Sequence, residues 1–156
     1  GSCDPAVVQF IANNDKKSVD EVLTMMNKQS GLLGIGGKSD MRDIDAAADA
    51  GDKDAILARD MLIYGIQKYI GSYMAALQGA DAIIFTAGIG EHSASIREKV
   101  CGQLEHMGIL LDPEKNRNCP GGNALISREE SPIKIHVIPA NEELGVARKT
   151  YRYQRA

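Results

Sequence analysis

The chain has 156 residues, 44% of them hydrophobic, with a formal net charge of −3, which fits one domain or part of one. The mild charge gives no nucleic-acid footprint, no apolar run is long enough to span a bilayer, and no signal-peptide pattern is present. Cys3, Cys101 and Cys119 are odd in number and lack metal-ligand spacing, so they read as reduced thiols of a cytoplasmic protein.

Gly1-Ser2 reads as a tag remnant or as native sequence. Asp4-Pro5 starts a helix through Ala6 to Ile11. Ser18 and Glu21 form a capping box ahead of Val22, Leu23, Met25 and Met26. Gly31 to Lys38 reads as a glycine-rich loop. Within it Gly37-Lys38-Ser39 imitates a phosphate loop. However, the required first glycine falls on Leu32, and Val22 to Lys28 reads as helix where that loop needs a strand. A short helix, Asp43 to Ala50, ends at Gly51. A long helix then runs from about Asp54 to Gln78. Its stripe of Leu57, Met61, Ile66, Ile70, Met74 and Leu77, broadened by Ile63 and Tyr64, predicts burial on more than one side.

Ala82 to Thr86 predicts a strand. A helix from Ser93 to His106, aligning Ile96, Val100, Leu104 and Met107, stops at Gly108. Asp112 to Gly122 reads as a polar loop, Ile133 to Ile138 as a strand, and Asn141 as the cap of a last helix from Glu142 to about Tyr153. The basic residues Arg148-Lys149 and Arg152 to Arg155 fit the solvated end of that helix. Strand, helix, strand, helix at this spacing predicts parallel pairing. Two strands alone make a poor sheet, and their free edges would invite association.

The richest stretch is Thr86-Ala87-Gly88-Ile89-Gly90 between the first strand and the next helix. Glycines there remove side chains where the backbone bends and where a ligand could approach. A helix amino terminus nearby suits an anionic group. A tight turn without a ligand fits the same residues. The loop does not carry the dinucleotide fingerprint, because Ser93 stands at the third glycine position and no acidic strand end follows about 20 residues on.

Four segments together resemble the acetate kinases and their close relatives, the propionate kinases. They are Gly31-Leu32-Leu33-Gly34-Ile35 through Ser39-Asp40-Met41-Arg42-Asp43-Ile44, then Phe85 to Ser93 with Ile96-Arg97. Gly108-Ile109 with Asp112 and Ile126-Ser127 follow, and last Ile138-Pro139-Ala140-Asn141-Glu142-Glu143-Leu144 with Ala147-Arg148. The resemblance implies an α/β fold. The chain would be the helix-rich carboxy-terminal part of an actin/hexokinase/Hsp70-type (ribonuclease H-like) domain with a short parallel sheet. It implies that residues 1–156 are one incomplete domain. The amino-terminal domain, the first strands of the second domain and the family's catalytic His and Arg residues would lie outside this chain. No catalytic residue is therefore assigned here.

The resemblance places Asp40, Met41 and Arg42 beside the adenosine, and Gly88, Ile89, Gly90 and His92 around the adenine and ribose, with Ile96 one turn on. By residue chemistry alone Arg42 could equally form a surface ion pair with Asp40 or Asp43. His92 stands where many members carry Asn, and suits binding rather than proton transfer. Glu142 is implied in magnesium (Mg2+) binding near the transferring phosphate. Without the resemblance, Glu142 and Glu143 would read as complements of the helix dipole. Ala140 stands where the family often has Thr, and the loop at Gly36 to Ser39 is about one residue short of the usual form, by comparison of its flanking motifs. The implied reaction moves the terminal phosphoryl group of ATP to acetate, giving acetyl phosphate and ADP, in a homodimeric cytoplasmic enzyme without nucleic-acid or membrane partners. The isolated chain would be inactive. Propionate as acceptor, or a non-catalytic nucleotide-binding or dimerisation module, are the alternatives.

Overall fold

The computed structural model describes residues 3–119 and 122–154. Gly1-Ser2, Pro120-Gly121 of the expected polar loop, and Arg155 of the basic tail lie outside the described residues. The chain divides into two units, Gly1–Leu62 and Ile63–Ala156.

In the first unit, side chains start most helices. Asp4 Oδ1 accepts a hydrogen bond from the Ala6 N–H at 2.9 Å ahead of α1 (Ala6–Asp15). α2 (Val19–Lys28) opens with the expected capping box. Ser18 Oγ accepts from the Glu21 N–H, and the Glu21 carboxylate accepts from the Ser18 N–H at 2.7 Å. Those bonds hold the Glu21 carboxyl below its ordinary pKa. Asp40 caps α4 (Met41–Asp49) through the Arg42 N–H, so this helix starts two residues before the expected Asp43. Asp52 accepts from the Asp54 and Ala55 N–H groups and starts α5 (Lys53–Leu77).

The expected glycine loop is a helix, α3 (Gly31–Gly36), with Gly37 in the left-handed region at φ 67° closing it. The reason is packing. A Cβ on Gly36 would stand 2.5 Å from Ile44 Cδ1, 3.0 Å from Ala58 Cβ and 3.5 Å from Ala55 Cα. Close approach of α3 to α4 and α5 outweighs the helix penalty of about 1 kcal/mol for a glycine. Gly37-Lys38-Ser39 follows this helix rather than a strand, which removes the phosphate-loop reading. Ala12, Val22, Met41, Ile44, Ala48, Ala55 and Ala58 are the buried hydrophobic residues described in this unit.

The bounds of α5 match the expected helix within a residue, and its expected stripe is buried only in part. Ala55, Ala58 and Ile63 are buried, whereas Leu57, Met61, Tyr64 and Leu77 are exposed and Ile66, Ile70 and Met74 only half-buried. The small Ala55 and Ala58 are thus buried together with Ile63, and Leu57, Met61, Tyr64 and Leu77 remain on the surface of this chain.

The second unit holds a three-stranded mixed sheet in the order β1-β3-β2, from β1 (Ala82–Phe85), β2 (Ala124–Leu125) and β3 (Lys134–Val137). The two expected strands pair in parallel, Ala82 with Lys134 through Phe85 with Val137. The added strand β2 is antiparallel to β3, so the sheet is not purely parallel. The expected helix from Ser93 to His106 is α7 (Ala94–Gly102) followed by a 3-10 turn, Glu105–Met107. The expected polar loop contains α8 (Pro113–Arg117), capped by Asp112 Oδ1 on the Glu114 and Lys115 N–H groups at 3.0 Å each. Between β1 and α7 lies α6 (Ala87–His92), and α9 (Glu142–Tyr153) ends the described chain. Phe85, Ile96, Val100, Ile109, Ile126, Ile135 and Val137 are buried against one another's elements.

Gly36→Ala should therefore destabilise the first unit by about 1–3 kcal/mol, as overpacking does. Chemical denaturation with a lowered midpoint and unchanged slope is the expected result. An unchanged midpoint would show that Ile44 yields without cost.

Candidate functional site

β1 and β3 run in parallel, so their carboxyl ends lie side by side, and the Ile138 N–H donates to the Phe85 carbonyl at 2.9 Å just beyond them. The glycine turn leaves one end and the segment Ile138 to Glu142 leaves the other. Open sheets with parallel strands bind ligands outside that end. One hydrogen bond joins the two segments directly: the Ala140 N–H donates to Glu91 Oε1 at 3.0 Å.

The two glycines of the turn differ. A Cβ on Gly90 would meet the Phe85 backbone, 3.3 Å from its carbonyl carbon, so Gly90 serves packing on β1. Beside Gly88 there is open space within 4 Å, and Gly88, Ile89 and His92 are all exposed. Ala87 carries φ 58°, a conformation that costs an alanine about 1–2 kcal/mol. The turn is thus itself a short helix with a strained entry and one open face. Ser93 closes α6 and caps α7, where a helix start was expected, its Oγ accepting from the Ile96 N–H at 3.2 Å.

Beneath the turn lies a charge that sequence reasoning assigned no role. Arg97 is 2% exposed. Its Nη1 donates to the carbonyls of Gly90 and Glu91, both at 2.9 Å. Its Nε donates to Asn116 Oδ1 at 2.7 Å and its Nη2 to the Asn116 carbonyl at 3.1 Å. Asn116 Nδ2 in turn donates to the Ala94 carbonyl at 2.9 Å. The guanidinium therefore ties α6, α7 and α8 together, and burial lowers its pKa from the ordinary arginine value. Its signals in the sequence are its place beside Ile96 in the second of the four segments and the apolar residues Val100, Cys101 and Leu104 that follow it.

The other sequence-predicted residues are distributed as follows. In the second unit Ile96, 1% exposed, supports the turn from the core rather than from its surface. Glu142 opens α9 and is exposed. Asn141 does not cap α9 with its side chain. It sits in the left-handed region at φ 49°, whereas a capping side chain needs an extended backbone. In the first unit Met41, 6% exposed, belongs to the core. Arg42 and Asp40 form an exposed bidentate pair, Nη2 to Oδ2 at 2.6 Å and Nε to Oδ1 at 3.0 Å, which is the ion pair that residue chemistry left open. Hydrogen bonds from Arg42 hold the Asp40 carboxyl down at about 2.

Among the described residues no group of three or more His, Cys, Asp or Glu side chains could hold a metal ion. A lone exposed carboxylate such as Glu142 fits magnesium only when nucleotide phosphates and waters complete the shell, which is the usual habit of that ion. Cys101 is buried and its thiol is pushed up to about 12, an unreactive state. No described helix is long and apolar enough to cross a membrane.

A turn with an open face and a carboxylate segment lie at adjacent parallel strand ends, the place where sheets of α/β proteins take up ligands. Comparison with known proteins specifies the family. The model of the acetokinase family matches residues 1–148. An acetate kinase of Carboxydothermus hydrogenoformans is 51% identical over 150 residues, covering 96% of this chain and 37% of that relative. The crystal structure of Porphyromonas gingivalis acetate kinase superposes with a TM-score of 0.87 at 38% identity, covering 97% of this chain and 38% of that one. A propionate kinase from Francisella tularensis gives 0.83 at 40% identity, over 92% of this chain and 36% of that one. The chain belongs to the acetokinase family, with the actin/hexokinase-like fold of its structural neighbours. It spans somewhat over a third of the length of the curated relatives it matches.

Two outcomes follow. Arg97→Lys should cost about 3 kcal/mol or more in urea unfolding, because an ammonium cannot reproduce the fork and leaves buried carbonyls without donors. A loss below 1 kcal/mol would contradict this role. The Asp40 carboxyl, depressed in the folded state, contributes to stability above its unfolded pKa near 4 and loses that contribution as pH falls toward about 2. A carboxyl NMR titration should find its midpoint well below that of the unfolded chain.

Proposed function

We propose that this chain is one incomplete domain of an acetate kinase. The whole enzyme transfers the terminal phosphoryl group of ATP to acetate, with magnesium, as a cytoplasmic homodimer without nucleic-acid or membrane partners. The observation that carries the reading is the juxtaposition of the exposed glycine turn and the Glu142 segment at neighbouring strand ends, bridged by Glu91. In this reading the adenine and ribose lie against Gly88 and Ile89, where no side chain intervenes, with His92 hydrogen-bonding at the edge. In the first unit, Asp40, Met41 and Arg42 are taken as nucleotide-binding residues in their own right, with the Arg42 guanidinium able to trade its carboxylate partner for a ring face. Glu142 would supply the protein ligand to a magnesium ion shared with the phosphates, and that ion would neutralise charge there. Gly90, Ile96 and Arg97 position the turn without touching the nucleotide.

The open outer edge of β1, with Ile84 exposed, and the exposed apolar residues Tyr64, Tyr73 and Leu77 support the view that further protein covers this chain in the enzyme. Propionate as acceptor is the second reading, supported by the likeness to the Francisella enzyme.

Calorimetric titration with ADP tests the pocket. Gly88→Leu should lower ADP affinity at least tenfold with the melting temperature unchanged or raised, since leucine favours helix over glycine. Undiminished affinity in that variant would overturn the adenosine assignment. Gly90→Val would be uninformative about the ligand, because it strikes the Phe85 backbone. The chain by itself should form no acetyl phosphate from ATP and acetate when assayed by hydroxylamine trapping. Turnover at the rate of a whole acetate kinase would refute the assignment of the chemistry to residues outside it.

A further inference from the structure

We infer that Glu91 is a positioning residue whose carboxylate sets Glu142 against the glycine turn; this rests on the nucleotide and magnesium reading above. The observation that demands such a device is the exposure of α9. Every described residue from Ala140 to Gln154 is exposed, and α9 contains no buried residue. The hydrophobic effect therefore does not fix where this helix begins. Its first residue is nonetheless the one proposed to meet the metal.

The path from β3 to Glu142 is short. The Ile138 N–H is held by the Phe85 carbonyl at the end of the ladder. Pro139 comes next, then Ala140, then Asn141 in a left-handed conformation with no side-chain cap. The hydrogen bond from the Ala140 N–H to Glu91 Oε1 is the tether between the last ladder bond and Glu142. An N–H bound to a carboxylate is among the stronger hydrogen bonds available to a backbone. Glu91 is well suited to hold it, because its own backbone is anchored: its carbonyl accepts from Arg97 Nη1, and Arg97 is buried.

A continuous chain of contacts thus runs from Asn116 through Arg97 and Glu91 to Ala140, two residues before Glu142. A displacement of about 1 Å at a reacting centre can cost 10²-fold in rate, so a tether at this point has leverage. Length, not charge, is what the geometry requires of residue 91. The side chain must carry an acceptor oxygen to Ala140.

Two mild substitutions in the full chain separate these requirements. Glu91→Gln keeps an acceptor oxygen at the same reach and removes the charge. Glu91→Asp keeps the charge and withdraws the oxygen by one methylene. ADP is titrated with and without magnesium, and the gain in affinity on adding the metal is the readout. Amide hydrogen exchange at Ala140 is followed in the absence of any ligand. The expected result is a magnesium gain retained in Glu91→Gln and cut at least fivefold in Glu91→Asp, with metal-free ADP affinity altered less than twofold. Ala140 exchange should accelerate at least tenfold in Glu91→Asp only. Retention of the gain in Glu91→Asp, or its loss in Glu91→Gln, overturns the inference, the latter pointing to Glu91 acting by charge. Unaltered exchange at Ala140 in Glu91→Asp overturns it independently. A wild type that binds no ADP, or binds it without a magnesium gain, fails the underlying reading instead.

Discussion

A buried guanidinium is expensive to desolvate and is usually retained only where its donors are well used. Arg97 meets that condition without a carboxylate: its acceptors are the carbonyls of Gly90, Glu91 and Asn116 and the side-chain oxygen of Asn116. These groups come from α6 and α8, while Arg97 itself belongs to α7, and Asn116 reaches back to Ala94 at the start of α7. Three short helices, of which α7 alone contributes buried apolar side chains, are thereby joined at one residue. The backbone of the glycine turn is held at that junction through the Gly90 and Glu91 carbonyls.

On this foundation the turn divides its tasks among adjacent residues. Gly90 lets α6 lie on the Phe85 backbone, and Gly88 leaves a clear face above. Ala87 holds the strained entry at positive φ, which the surrounding bonds must maintain. Support lies below, in Ile96 and Arg97, and the exposed surface lies above, in Gly88, Ile89 and His92. Such a layered arrangement lets the exposed residues stay free for a ligand while their backbone is fixed from the other side.

What could be read from the chain before its structure follows from how each feature is encoded. The apolar run of β1, the alternation along β3 and the helix-like spacing between them specified the parallel pair, whereas the two residues of β2 carry no periodicity to detect. The spacing along α5 was legible, but periodicity says which residues share a face and not which face meets protein. Ala55 and Ala58, which the stripe passed over, are buried beside Ile63, while Leu57 and Met61 are exposed. α3 was hidden because glycine reads as a breaker, although at Gly36 it serves close packing. Asn141 looked like a cap because its type favours one, and its left-handed backbone put that role out of reach. Arg97 was invisible as an anchor because a charged residue ordinarily signals solvent. The identities of the candidate site residues came from the order of four motifs. Residue chemistry alone left Arg42 and Glu142 open, and left the link between Glu91 and Ala140 unseen.

The sulfur of Cys101 offers a practical opportunity that arises from its position on α7 between Val100 and the Arg97 junction. Sealed from water and held protonated, it stays silent to thiol-directed reagents while the second unit is intact, whereas Cys3 is exposed and Cys119 half-buried, so that peptide-resolved labelling tells the three apart. Labelling kinetics at this single atom would therefore time the opening of the helical junction, giving a built-in clock for local unfolding that requires no engineered probe.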